Sequence, residues 1–339
     1  MVNGREAVVE RFTLHHVDAA IEDSILAEDT EEWHGEGEQE FLRKLFLRPF
    51  ASITRTSEFT HPVGMEFNVL HGLCERIRQG EEFTAASVGI ARHLIAVSGH
   101  HAIKSGDLFV VKFRELEMNA RTYEAVGIFK FDDKDLYLET SGSRGKVAMD
   151  LRKGLGNGKP NKACLVIFSG EEPTLLVLED EQTEYWQKDF IGHKPKNDEV
   201  NSTSHVLELT RNFITKQLPQ DHDIPKADQI DLLNRSVQYF KSNTEFDRDA
   251  FEQEVFQAED VIRSFQEFGE RFKESRELDI LDNFEISAPA VKKQARIFKS
   301  VIKLDKNFHI YIHGDRNKIE QGVDETGRKF YKIYYDEEV

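Results

Sequence analysis

Five runs rich in β-branched and aromatic residues follow one another in a stretch of about seventy residues: Asp107–Phe113, Tyr123–Phe131, Leu136–Glu139, Ala163–Phe168 and Thr174–Leu178. Each has the length and composition of a strand. Sequential strands with short breaks pair antiparallel, because a parallel return needs a crossover of a dozen or more residues. The run therefore predicts an antiparallel meander. Ahead of it, residues 7–15 alternate loosely and read as a further strand. Phe67–Arg78 and Thr84–Ser98 carry apolar residues at helical spacing, and Phe41, Leu45 and Leu47 mark a short helix stopped before Pro49. The fold class expected is α+β.

The polar, turn-rich stretch from Pro195 to Ser204 marks a domain boundary. Beyond it the pattern is helical: His205–Leu218, Asp228–Tyr239 and a Phe-striped helix over Arg248–Lys273. The last segment turns extended, alternating over Lys303–Ile312 and again over Arg328–Tyr335, with a Gly-containing loop between. That reads as one terminal β-hairpin with a long tip. The expected organisation is an α+β domain over 1–195, a helical segment over 196–285, and a basic segment with the C-terminal hairpin over 286–339. The Phe stripe reads as a core-facing helix, and together with the hairpin it offers apolar surface that a homodimer could share.

Charge is segregated along the chain. The 339 residues carry 62 acids against 45 Lys and Arg, for a net charge of −17. That excludes a protein coated all over in positive charge, though not a local basic surface. From Val17 to Glu40 there are ten acids and no Lys or Arg. Two segments go the other way. Ser141–Lys162, which reads as a flexible Gly-rich loop, has six cations and one acid. Ile286–Lys318 has eight cations and two acids, interleaved with Phe298, Phe308 and Tyr311. Clustered cations neutralise phosphates and aromatics among them stack on exposed bases. The competing account pairs these lysines with the fourteen acids of Thr244–Glu285.

No catalytic or metal site emerges. Ser141-Gly142-Ser143-Arg144-Gly145-Lys146 has the wrong spacing for a phosphate-binding loop and Val147 where Ser or Thr is needed. His309 and His313 lie in a strand pattern, where four residues span about 13 Å. The adjacent pairs His15-His16 and His100-His101 point to opposite faces of any strand that holds them. Asp132-Asp133-Lys134 contains the Asp-x-Lys element of metal-dependent nucleases, which also requires an upstream acid on a neighbouring strand. Two cysteines, Cys74 and Cys164, are too few for a disulfide scaffold and fit a reducing, cytoplasmic setting. No apolar run is long enough to span a bilayer, and Met1–Glu6 lacks the features of a signal peptide.

Several blocks in order carry a resemblance. They are Leu14-His15-His16-Val17, Phe46-Leu47-Arg48-Pro49-Phe50, Ile90-Ala91-Arg92-His93-Leu94, the long run from Ser105 to Phe113, Ala125 to Lys130, Tyr185-Trp186, Asp189-Phe190 and Lys303-Leu304-Asp305. Through them the chain resembles the bacterial nucleoid-associated protein (NdpA) family over most of its length. The resemblance implies a cytoplasmic protein of the nucleoid that binds DNA without known enzymatic activity or cofactor, with interplay with type II topoisomerases. Phosphate contacts are expected first from Lys292, Lys293, Arg296, Lys299, Lys303 and Lys306. Arg144, Lys146, Arg152 and Lys153 come second. The alternative is an adaptor whose acidic Val17–Glu40 run docks a basic partner such as a topoisomerase.

Overall fold

The computed structural model describes residues 2–337 apart from 54, 99–103, 144, 157, 180–182, 277, 279, 296–297, 299–300, 306 and 312–317, and without the side chains of Ser143 and Lys146. The chain divides into two compact units, Met1–Lys196 and Asn197–Val339.

The first unit is built on an eight-stranded, wholly antiparallel sheet. Its strands are β1 (Val2–Asn3), β2 (Val8–Val17), β3 (Ser57–Phe59), β4 (Gly106–Met118), β5 (Arg121–Phe131), β8 (Lys162–Ile167), β9 (Thr174–Glu179) and β10 (His193–Pro195). β1 and β2 both pair with β4, and the order continues β5, β8, β9, β3, β10. Between β5 and β8 the chain leaves the sheet as β6 (Asp135–Ser143) and β7 (Lys146–Gly154), which pair only with each other among the described residues.

The middles of the central strands are apolar because both faces of the sheet are covered there. Leu108 and Val110 join one core with Val126, Ile128, Cys164 and Val166. Helices α2 (Val69–Arg78) and α3 (Phe83–Ser98) and a π-helical turn at Tyr185–Ile191 close that side. Phe109, Val111 and Phe113 point the other way, into a core with Phe129, Leu165 and Ile167. Helix α1 (Glu36–Phe46) and a 3₁₀ turn at Arg48–Ser52 close this second side. The period-two alternation of a strand thus feeds two cores instead of one core and solvent. The Phe46 and Phe129 rings meet at 4.6 Å across the second core.

Helices dominate the second unit: α4 (Glu199–Asn212), a short α5 (Leu218–Asp221), α6 (Lys226–Ser242), α7 (Arg248–Val255), α8 (Glu259–Arg276) and α9 (Ala288–Ala295). A small sheet pairs β11 (Glu245–Asp247) with β12 (Asn283–Glu285). The single helix expected over Arg248–Lys273 is broken in two. Gln257 takes a left-handed φ of 63° between α7 and α8. Asp247 caps α7 by accepting the Ala250 N–H. The break lets Phe256 and Phe265 approach Phe213 together, with centroid distances of 5.5 and 5.2 Å, and each other at 4.7 Å. On one straight helix Phe256 would stand off the stripe of Phe251, Val255 and Ile262. Those residues and Phe272 are buried in this core, and Phe268 packs against it half-buried, so the Phe stripe serves the core of its own unit.

The C-terminal extended residues form two hairpins in place of the single long-tipped one expected. β13 (Val301–Leu304) pairs with β14 (Phe308–Tyr311) in register Ile302↔Ile310 and Lys303↔His309. β15 (Ile319–Val323) pairs with β16 (Lys329–Ile333). Asp305, at φ 49°, makes the first turn so tight that Lys303 and His309 face each other within one hairpin. Ile302 and Ile319 anchor the hairpins on Ala227 and Ile230 of α6.

Candidate nucleic-acid interface

Helix α6 does two jobs with one face. Ala227 and Ile230 hold the C-terminal hairpins. Asn234, Gln238 and Lys241, at the following three- and four-residue spacings, continue that face as a polar stripe. That stripe and β13–β14 bound a cleft of about 990 Å³. Lys226, Lys241, Lys303 and His309 line it, with Phe298, Tyr311 and Tyr331 among them. All four basic side chains are exposed, and none of the described lining residues is a carboxylate.

A second cleft, of about 760 Å³, adjoins the first, since Lys241 and Ala295 line both. It is bounded by β11, β12 and α9 and carries Lys292. Here carboxylates are present: Glu245 and Glu285 stand directly opposite one another in the ladder. The cationic track therefore runs from Lys292 past Lys241 to Lys303 and Lys226, and its acid-free part lies on the α6–β13 side.

Of the acids of Thr244–Glu285, Glu252, Glu270 and Asp282 pair with basic residues of the same stretch. Arg248 reaches Glu252 and Asp282 at 3.0 and 2.9 Å. Lys273 holds Glu270 at 3.1 Å, and Arg276 holds Glu208 of α4 at 2.6 Å. Among the described residues Lys241, Lys292 and Lys303 make no ion pair.

The residues expected to contact phosphate are distributed unevenly. Lys292 and Lys303 face the two clefts, and Lys293 is exposed on α9. Arg296, Lys299, Lys306 and Arg144 lie outside the described residues, as do His100, His101 and His313. The stretch expected to be a flexible loop is ordered instead as the β6–β7 hairpin, with Lys146 opening β7. On it Arg152 is tied to Glu139 at 2.9 Å, and Lys153 stands on the opposite face, across from Leu136. Lys162, the last cation of that stretch, is buried against the Tyr185 ring. Sequence reasoning missed Lys226, Lys241 and His309 as cleft residues. The available signal was the spacing of Asn234, Gln238 and Lys241, which continues the face of Ala227 and Ile230 in polar residues.

The Asp-x-Lys element is better placed than its sequence context suggests. Asp107 on β4 is the upstream acid, opposite Phe131 on β5. Both carboxylates, however, are held by ammonium groups. Lys134 reaches Asp107 at 2.7 Å, and the fully buried Lys130 is paired with Asp132. Lys130 also donates to the Lys104 carbonyl at 2.7 Å, and His16 Nδ1 lies 3.0 Å from Asp107. Among the described residues no group of three His, Cys, Asp or Glu is placed to hold a metal ion. The cluster is a charge-compensated cap on the ends of β4 and β5.

The two adjacent histidines part as strand geometry requires. His16 joins that cap, while His15 is fully buried. His15 Nδ1 accepts the Ala27 N–H at 3.0 Å, so Nε2 carries the proton and lies 2.6 Å from the Ser87 hydroxyl of α3. Burial pulls the His15 pKa down to about 4. The group fastens α3 and the segment after β2 to the sheet. It has no open side toward a substrate.

A family model described as nucleoid-associated protein YejK matches residues 13–338. No curated protein and no solved structure matches. No helix among the described residues is long and apolar enough to cross a membrane. The match takes in the second half of β2 and most of both cores of the first unit and, in the second, the helices, the clefts and both C-terminal hairpins: this chain belongs to the nucleoid-associated protein YejK family.

Proposed function

We propose that the protein is a non-enzymatic DNA-binding component of the cytoplasmic nucleoid, and that it grips the sugar–phosphate chain in the α6–β13 cleft without reading sequence. One observation carries this reading: in a chain of net charge −17, a cleft lined by Lys226, Lys241, Lys303 and His309 has no carboxylate among its described lining residues. A phosphate entering it meets cations that no ion pair among the described residues neutralises. Phe298, Tyr311 and Tyr331 supply ring faces on which unstacked bases can lie, and such stacking tolerates any sequence. Lys292 and Lys293 extend the contact along α9, joined by Arg296, Lys299 and Lys306 of the same basic segment. Binding of this kind constrains the path of the duplex and so influences chromosome topology.

The test is a salt-dependent titration on nuclease-free protein. Each true phosphate contact adds about 0.9 to the slope of log affinity against log salt. Replacing Lys241, Lys292 and Lys303 with Ala together should lower that slope by roughly three. An unchanged slope and affinity would refute the assignment. Plasmid incubated with Mg²⁺ or Mn²⁺ should stay intact.

A second reading is favoured by the acidic run. Nine of its ten acids, from Glu22 to Glu40, are exposed, and among the described residues only Glu32 and Glu40 of the run carry ion pairs. Such a surface suits a basic protein partner, for instance a type II topoisomerase. A partner retained from nuclease-treated lysate supports this docking; its loss with the DNA supports the cleft alone.

A further inference from the structure

The described side chains of the β6–β7 arm are exposed from Asp133 to Lys153. Its register, Leu136↔Lys153, Leu138↔Leu151, Thr140↔Met149 and Gly142↔Val147, sorts its residues by face. One face carries Leu136, Leu138, Val147, Met149 and Leu151, each between 61% and 80% exposed. The other carries Tyr137, Arg152, Glu139, Asp150, Ser141 and Ala148. Two strands with one uncovered aliphatic face are marginal in water, and such a patch marks a protein contact.

We propose that this aliphatic face is a self-association surface, on which the same face of a second copy packs with the two arms running in opposite directions. The inference does not depend on DNA binding by the cleft. Three features select a second copy as the occupant. First, the face is self-complementary, as a two-fold interface must be, and Lys153 at its base is the only charge that the described paired residues put on it. A nucleic acid would want cations along it. Second, the area suffices. Burying one such side chain is worth about 1.5–3 kcal/mol at about 25 cal/mol/Å², which is roughly 60–120 Å² each. Five on each arm remove roughly 600–1,200 Å² in all, around the ~1,000 Å² that a specific interface needs. Third, charge sets the direction. Lys153 stands at the base of the aliphatic face, across from Leu136. Opposed arms hold the two Lys153 ammonium groups at opposite ends of the contact; arms in the same direction would place these like charges together.

Nine residues per strand make an arm about 30 Å long, with Thr140 and Met149 near its middle. A two-fold axis between opposed arms passes there. The wild-type chain at micromolar concentration should sediment as a dimer. The L138T/L151T variant, which keeps β-forming residues and removes the apolar area, should sediment as a monomer with unchanged tryptophan emission. T140C should form a disulfide-linked dimer under mild oxidation, and S141C, one residue along and on the other face, should not. The native Cys74 and Cys164 are buried and do not interfere. A monomeric wild type, a dimer that survives L138T/L151T, or equal cross-linking of T140C and S141C would each overturn the proposal. A monomeric wild type whose L138T/L151T variant loses DNA affinity would assign the face to DNA instead.

Discussion

The two basic segments look alike in sequence and differ in what the fold does with their charge. Ser141–Lys162 and Ile286–Lys318 each carry several cations in excess over acids. In the first, Arg152 is paired across the hairpin with Glu139, Lys162 is buried beside an aromatic ring, and Lys153 stands on an aliphatic face. In the second, Lys303 opens onto a cleft whose described lining holds no carboxylate, and it shares that cleft with Lys226 and Lys241 from a different element. Net charge per segment counts residues. A binding surface depends on which acids tertiary structure brings within reach, and only the fold decides that.

The largest effect should come from treating a cation of the first unit as structural. Lys130 is fully buried and its ammonium is compensated by Asp132. Removing one partner of a buried pair typically costs about 3–5 kcal/mol, because it strands the other charge. Asp132→Ala should destabilise the first unit by about that much. Both tryptophans, Trp33 and Trp186, lie in this unit, so their emission during urea unfolding reports it alone. An unchanged midpoint would show that Lys130 needs no counter-charge.

The cleft should behave in the opposite way. Among the described residues Lys241, Lys292 and Lys303 have no ion pair to lose, so their joint replacement by Ala should leave the urea midpoint of the helical second unit, followed by far-ultraviolet circular dichroism, where it is. At about 0.1 M salt each lost phosphate contact costs roughly eightfold in affinity, so three cost roughly 500-fold. The arm control, R152A/K153A, should change affinity by less than about twofold. Equal losses in the two variants would erase the distinction between the segments.

Much of this architecture was legible in the chain. β4 and β5 declare themselves because both faces of the sheet are buried, so Leu108 to Val111 and Ala125 to Phe129 are apolar with hardly a gap. β7 does not, because nothing covers it. Without burial there is no pressure for an apolar run, and Ser141-Gly142-Ser143 through Gly154 reads as loop. The break at Gln257 was invisible for a different reason. Either one helix or two can bury Phe251, Val255 and Ile262, and the choice depends on Phe213, which lies in another element. The same distance hid the cleft. Lys303 stood in a basic run, but Lys241 sits alone at the end of α6 and becomes meaningful only when β13 folds against that helix.

Acid should separate the units by stability. His15 is neutral in the fold, with a pKa near 4, against about 6.5 when unfolded. Its folded value is the lower one, so its contribution is undiminished above about pH 6.5 and is lost as the pH falls toward about 4. The gap corresponds to about 3 kcal/mol. His93 and His193, also lowered by burial, act in the same direction. Tryptophan-detected unfolding should therefore shift to lower urea over that window, and His15→Gln should flatten the dependence. A pH-independent midpoint from 7 down to 4, values bracketing about 6.5 and about 4, would contradict a buried neutral imidazole.

The smallest effect bears most directly on why the arm is expected to be silent toward DNA. Glu139 and Arg152 are both more than half exposed, so breaking their pair should move stability by no more than about 0.5 kcal/mol. Glu139→Ala should nonetheless release Arg152 on the charged face of the arm, the face that self-association would leave outward. If pairing is what removes an arm cation from competition for phosphate, DNA affinity should rise, by at most about eightfold at about 0.1 M salt, with the salt slope increasing by about 0.9. A filter-binding series across salt concentrations reads both numbers. No change in either would mean that the arm lies off the path of the DNA, and that position, not pairing, is what separates the two basic segments.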